Sequence, residues 1–386
     1  MTGGLLLSTH EELELRIIED YRAGRINRSE ASLLLGVSCR SVTRWAKAVR
    51  QEGPRAIKHG NSNREPKNKF SEDERDKVLE LARKIYRDFN LAHMHEKLHS
   101  QHGIRASYDT VRRWCNGAGI GRRRKRRPGK ARMYRERLAN EGLMLQMDGS
   151  HHVWYGNKER CLIAAIDDAT SRIPAADFFP GETTWACFAI LRRIVETQGI
   201  PEIIYVDGAG WAGGGHKRQF FSQFVRACQN LGSRVVHARS PQAKGRIERA
   251  FRTMQDRLVN ELAHHNITGD IDASRYLNQV FLPAYWNAEL TVVPRDDASR
   301  YRMVPPGMNL DKVFSFQFER LVGASNTVSL DGQLYRIEVN ALGSLKGKII
   351  TACKSENDAI SWYYGEEPLT VSKIQKPTRQ WIKAIS

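Results

Sequence analysis

The sequence predicts a multidomain chain with α-helical units at the front, an α/β core in the middle and a small all-β module at the end. Three observations carry that expectation. Helical spacing with capping residues dominates residues 1–120, strands alternate with helices from Leu143 onward, and short alternating strands around Asp331-Gly332 close the chain. At 386 residues the chain exceeds one ordinary domain, and a hydrophobic fraction of 41% is enough for several cores.

The formal charge of +18 is unevenly spread: residues 1–140 hold 32 Lys+Arg against 17 Asp+Glu, and residues 141–386 hold 29 against 26. A basic front joined to a nearly neutral back suggests a polyanion-binding region leading into a domain with another task. A membrane surface is the other common polyanion. No apolar run approaches the roughly 20 residues of a spanning helix, and Leu5-Leu6-Leu7 is too short for a signal-peptide core, so a soluble, unsecreted, cytoplasmic protein is expected. Six scattered cysteines (Cys39, Cys115, Cys161, Cys187, Cys228, Cys353) with no Cys-x-x-Cys pair favour reduced thiols over a disulfide or zinc framework.

Residues 1–55 open with a helix whose apolar positions are Leu13, Ile17 and Ile18, ended by Gly24. A second helix, a tight turn at Gly36 and a third helix capped by Ser38 complete a helix-turn-helix pattern with Leu35, Val37, Val42 and Trp45 as its core. Arg40, Ser41, Thr43, Arg44 and Lys47 would then face a major groove and its phosphates. Residues 56–69, polar and rich in Gly, Asn and Pro, read as a linker.

Residues 70–120 repeat the logic. Ser71 and Glu74 form a capping box ahead of Val78, Leu81, Ala82 and Ile85, a second helix follows, and Ser107 caps a third with Val111 and Trp114 inward and Arg112 and Arg113 outward. The histidines between (His93, His95, His99, His102) lack the paired cysteines or second His pair of a zinc site. Residues 121–140 contain Arg122, Arg123, Arg124, Lys125, Arg126 and Arg127 in a row, an arm suited to a phosphate backbone.

The core is expected over residues 141–292. A strand from Leu143 ends in Asp148, strands at 160–167 and 172–179 are joined through a turn at Asp168-Ala169-Thr170-Ser171, and a helix begins at Thr183. A short strand at 203–207 ends in Asp207, a helix at 219–231 and a strand at 234–237 follow, and a long helix starts at Gly245. That order, βββαβαβα, is the order of the ribonuclease H-like fold, in which the first and fourth strands lie side by side. Asp148 and Asp207 would then share one sheet edge, and Glu248 would join them from the last helix, whose stripe of Ile247, Phe251, Met254, Leu258 and Leu262 turns inward.

Three converging carboxylates without a partnering cation raise one another's pKa, so the cluster implies bound metal. All-oxygen ligands suit Mg2+ or Mn2+, and two such ions per site serve an in-line phosphoryl transfer. Lys244, Arg246, Arg249 and Arg252 around Glu248 would hold the DNA backbone.

At these residues a family resemblance becomes definite. Gln146-Met147-Asp148-Gly149-Ser150-His151-His152, Ile166-Asp167-Asp168-Ala169-Thr170-Ser171-Arg172, Val206-Asp207-Gly208 and Ser240-Pro241-Gln242-Ala243-Lys244-Gly245-Arg246-Ile247-Glu248-Arg249 resemble the DDE transposases of bacterial insertion sequences (ISNCY-like), which have a core of the retroviral integrase type. The four motifs stand in the family's order, with spacings of 59 and 41 residues between the acids. The resemblance implies binding of double-stranded DNA at the terminal inverted repeats of a mobile element, 3′-end cleavage by water, and strand transfer into target DNA. It also implies a homodimer or higher oligomer on paired ends, a nucleoid-associated place in a bacterial cytoplasm, and Asp148, Asp207 and Glu248 as metal-binding catalytic acids. Val153, Gly208 and Gln255 depart from the pattern, the last where a lysine is frequent. A ribonuclease H-like nuclease or resolvase and a transposase-derived DNA-binding regulator are the alternatives.

Beyond the core, residues 293–309 read as a linker with Pro294, Pro305 and Pro306, and residues 310–370 as a small β-barrel. Phe314, Phe316 and Phe318 alternate as its first strand, and a hairpin turns at Asp331-Gly332. Residues 371–386 read as a basic tail.

Overall fold

A computed structural model describes residues 7–58, 70–121, 136–207, 223–237, 245–338 and 343–375. The expectations for Arg122, Arg123, Arg124, Lys125, Arg126, Arg127 and Lys244 fall outside the described residues. The chain divides into two compact units, Met1–Lys77 and Val78–Ser386. Among the described residues no helix is long and apolar enough to cross a membrane.

In the first unit, α1 (Thr9–Arg22), α2 (Arg28–Leu35) and α3 (Cys39–Glu52) begin at the caps Ser8, Asn27 and Ser38, whose side-chain oxygens accept backbone N–H groups that a first turn leaves unpaired. Gly36 ends α2 at φ 63°, a left-handed conformation that suits glycine, and so makes the tight turn into α3. Ile18, Ala31 and Val42 are wholly enclosed, with Leu35, Val37 and Trp45 half-buried against them. The expected helix-turn-helix core forms, and α1 supplies its other wall.

The next helices are α4 (Glu72–Lys84), α5 (Leu91–His102) and α6 (Tyr108–Gly117), the last capped by Ser107. Val78, Leu79, Ala82, Met94, Leu98, Val111 and Cys115 are buried. Ile85, expected inward, is 47% exposed just past the end of α4, and the adjacent Tyr86 is buried in its place.

The core sheet contains β1 (Met144–Tyr155), β2 (Lys158–Asp167), β3 (Ala175–Phe179), β4 (Ile203–Val206) and β5 (Arg234–His237), in the order β3-β2-β1-β4-β5. β1, β2 and β3 run antiparallel, whereas β4 and β5 continue parallel to β1. Strand side chains alternate between faces. Leu145, Met147, Cys161 and Ile163 pack with α7 (Thr184–Thr197) and α8 (Gln223–Asn230). Leu162, Ala164 and Ile166 pack on the other face with Ile247, Met254 and Leu258 of α9 (Gly245–His264). The element order is the expected one, a mixed sheet with helices on both faces.

Helix α10 (Asp270–Tyr276) runs into a π-helical segment, Leu277–Trp286. Pro283 lies inside it. Proline has no N–H for the i→i−4 bond and its ring crowds the preceding turn, so a wider turn relieves both problems. Residues 293–309 form no long element, yet bridges from Asn140 to Asp296 and from Ile200 to Arg302 tie them to the core.

The C-terminal module has β6 (Phe316–Leu321), β7 (Thr327–Leu330), β8 (Gln333–Ile337), β9 (Ile349–Lys354), β10 (Ile360–Tyr364), β11 (Glu367–Leu369) and β12 (Val371–Ile374). The described residues do not draw the expected closed barrel. Their hydrogen bonds make one sheet in the order β11-β10-β9-β6 and another in the order β12-β8-β7, which share a core of Val322, Val328, Ile337, Ile350 and Trp362. Two further expectations change. Phe314 precedes β6 and is buried in the α7–α8 core, and Val371–Ile374, expected in a basic tail, pairs with β8.

Candidate active site

Gln146 and Tyr205 are the last paired residues of the parallel β1–β4 ladder. Asp148 and Asp207 each stand two residues beyond them, so the two half-buried aspartates lie level where β4 stops. Asp148 does not end its strand as expected. β1 continues to Tyr155 because β2 goes on supplying partners, with Asp148 opposite Ala164. His237 Nδ1, at the end of β5, lies 3.2 Å from the carbonyl oxygen of Asp207.

The position of α9 against this edge is bracketed by two hydrogen bonds. Gln146, Asp148 and Ser150 share one face of β1. Ile247 N donates to Gln146 Oε1 at 3.4 Å, and Gln255 Nε2 donates to Ser150 Oγ at 3.1 Å. Asp148, between them, faces the turns of α9 from 247 to 255, the first of which carries Glu248. Gln255 thus has a structural task.

Glu248 is exposed beside the buried stripe of Ile247, Phe251, Met254, Leu258 and Leu262. Among the described residues no three His, Cys, Asp or Glu side chains lie close enough together to hold a metal ion. The expected convergence is therefore a shared sheet edge with a glutamate helix across it, not a closed ligand set. The donor chemistry still suits Mg2+ or Mn2+, since the three groups are all carboxylates. Burial pushes the Cys161 thiol up to about 12, with the charges of Glu182 and Asp148 adding to the effect, so this thiol stays protonated and is a poor ligand. His152 packs edge-on against Trp154, ring centroids 5.4 Å apart.

The basic residues separate into groups. Arg40, Thr43, Arg44 and Lys47 form an exposed face of α3, whereas Ser41 is half-buried and its N–H is bonded to the cap Ser38. Arg112 and Arg113 are exposed on α6, the former 3.1 Å from Asp109. Arg249 and Arg252 are exposed on α9. Arg246 is not: its side chain is 13% exposed and its Nε donates to Asp168 Oδ1 at 2.8 Å, so its expected place on the DNA backbone is corrected to one inside the protein.

Asp167 ends β2 and Asp168 opens the expected turn, yet neither has exposed surface. Asp167 accepts from Gly142 N, Thr170 N and Thr170 Oγ1 at 2.8 to 2.9 Å. Burial raises its pKa, and these donors oppose the rise. The roles of Asp168 and Gln146 escaped sequence reasoning. A polar residue at a buried position two before Asp148 was the available signal.

A helix-turn-helix front together with a mixed sheet that carries two level aspartates, with a glutamate helix packed against it, is an architecture suited to a polynucleotidyl transferase. A family model for a homeodomain-like domain matches residues 41–115. The chain is 31% identical over 351 residues to a putative transposase, y4bF, of Sinorhizobium fredii, covering 87% of this chain and 75% of that one. It is 30% identical over 308 residues to the transposase for insertion sequence IS1202 of Streptococcus pneumoniae, covering 69% of this chain and 66% of that one. Among solved structures, the catalytic core domain of BIV integrase is similar over 37% of this chain and 85% of that one, at 20% identity and a TM-score of 0.28. The chain belongs to the transposases of insertion sequences.

Proposed function

We propose that this transposase binds double-stranded DNA at the terminal inverted repeats of its mobile element, cleaves the 3′ ends and transfers them into target DNA. The observation that carries the reading is the level placement of Asp148 and Asp207 on adjacent parallel strands, opposite the turns of α9 that begin with Glu248. In this reading Asp148, Asp207 and Glu248 hold two Mg2+ or Mn2+ ions. When bound, such ions supply charge stabilisation at the phosphoryl oxygens and a more acidic water or hydroxyl.

The chain's own residues do the rest. The exposed face of Arg40, Thr43, Arg44 and Lys47 reads a groove, and Arg112 and Arg113 hold a second stretch of the end. Arg249 and Arg252, exposed on the glutamate helix, steady the backbone being cut. Residues 1–55 and 70–120 serve as end-binding domains, 141–292 as the catalytic core, and 310–370 as a DNA-binding or assembly module. The working form is a homodimer or higher oligomer on paired ends, associated with the nucleoid.

The test is to incubate the protein with DNA carrying the repeats that flank its gene, a target plasmid and Mg2+, and to look for joined products. Joining supports the proposal. Nicking without joining would assign the chain to the nucleases or resolvases, and stable binding without metal-dependent cleavage would make it a regulator.

A further inference from the structure

The start of α9 is held by a polar clamp. Asp168 Oδ1 accepts from Gln146 Nε2 at 2.9 Å and from Arg246 Nε at 2.8 Å, while its Oδ2 accepts from Leu138 N at 3.0 Å. Gln146 closes the link by accepting from Ile247 N, and the Asp168 backbone N–H donates to Met144 O of β1 at 3.0 Å. Asp168 and Gln146 have no exposed surface.

The placement of these groups carries the inference. Gln146 stands two residues before Asp148 on the same face of β1, and Arg246 stands two residues before Glu248 in the first turn of α9. One buried carboxylate thus ties together the positions that precede two of the three acids. A buried carboxylate is tolerated only with hydrogen bonds and a partnering charge, and charge-assisted bonds of this kind fix geometry as well as adding energy. The apolar stripe of α9 decides which face points inward, and Gln255 pins a later turn to Ser150. The clamp adds directional bonds at the first turn, where a helix end otherwise frays.

We infer that Asp168, acting through Arg246 and Gln146, is a positioning residue that sets Glu248 against Asp148 for metal binding. The inference rests on the proposed role of the three acids. Glu248 is exposed in the first turn of its helix, so the angle at which it meets a metal is set by the backbone that the clamp holds.

The test uses the full chain and Mn2+ alone, with free Mn2+ followed by electron paramagnetic resonance. Asp168→Asn keeps the size and an acceptor oxygen but removes the charge that holds Arg246. Its Mn2+ affinity should fall by ~10- to 100-fold, the usual cost of losing a group that orients a ligand. Cleavage should need correspondingly more Mn2+, while binding of end DNA in EDTA stays unchanged. If Asp168→Asn does not fold, Arg246→Gln tests the same link from its less enclosed side. Wild-type affinity in either folded variant overturns the positioning role alone. An Asp148→Ala control that binds Mn2+ as the wild type does overturns the metal-site reading, and this inference with it.

Discussion

Glu261, on the helix that carries Glu248, lies 2.5 Å from Nε2 of His93 on α5, and both side chains are more than nine-tenths buried. Its other oxygen accepts from Lys97 Nζ at 2.8 Å and from the Tyr276 hydroxyl at 2.9 Å. Arg257 and Glu96 pair beside it, and Asn90, the cap of α5, donates to Asp256, so the first half of α5 is bonded to the second half of α9. The second helical group and α9 thus share one buried charge cluster.

That cluster makes stability depend on acid. Burial alone would raise the Glu261 pKa, but the hydrogen bonds and charges of His93 and Lys97 outweigh it and hold it at about 2. An unfolded glutamate titrates near ~4.3. The folded value is the lower one, so the contribution is fully present above the unfolded pKa and is lost as pH falls through about 2. Glu261→Gln should cost on the order of 3 kcal/mol at neutral pH, because it leaves His93 and Lys97 without their carboxylate. Denaturant unfolding measured across that acid window should fall steeply in the wild type and less in the variant. Parallel curves would contradict the assignment.

The three acids should behave as a unit. Asp148→Asn, Asp207→Asn and Glu248→Gln should each lower cleavage and joining by ~10³-fold or more, since ligands of a catalytic metal supply several kcal/mol of transition-state stabilisation. Metal-free binding of end DNA should persist in all three. A variant that joins DNA at the wild-type rate would remove its residue from the site.

How far the sequence revealed this site depended on the range of the interactions. β5 at Arg234–His237 and the start of α9 at Gly245 were legible, because alternation and Pro/Gly breaks are local signals. The level placement of Asp148 and Asp207 was legible only through the order of elements, from which the pairing of β1 with β4 followed. The clamp was not, since Asp168 and Arg246 are 78 residues apart and each has an ordinary local explanation, a turn aspartate and a surface arginine. The same holds for β12, whose pairing with β8 joins residues far apart in the chain, and for the π-helical turns, where Pro283 was visible but the way the helix absorbs it was not.

The exposed face of α3 leads to a prediction about salt. Arg44→Ala should weaken binding of end DNA and reduce the slope of log affinity against log salt by about 1, the signature of one lost phosphate contact. Arg40→Ala should act alike if it touches phosphate, or relax sequence preference with little change of slope if it reads a base. Binding titrations at several salt concentrations separate these outcomes. An Arg44→Ala protein with wild-type affinity and slope would take α3 off the DNA.

The stretch around Tyr301 and Arg302 gives a prediction independent of DNA. Gly142 has φ 80°, and a Cβ there would meet the Tyr301 backbone nitrogen and ring at 2.7 Å. Its N–H also donates to the buried Asp167, so it cannot move away without breaking that bond. Gly142→Ala therefore combines backbone strain with overpacking and should cost about 2–4 kcal/mol in unfolding free energy. Gly181→Ala is the control, because nothing lies within 4 Å of its added methyl group and its φ is not in the left-handed range. It should change stability by less than about 0.5 kcal/mol. Equal stability of the two variants would mean that residues 301–302 do not press on the core at Gly142 in solution.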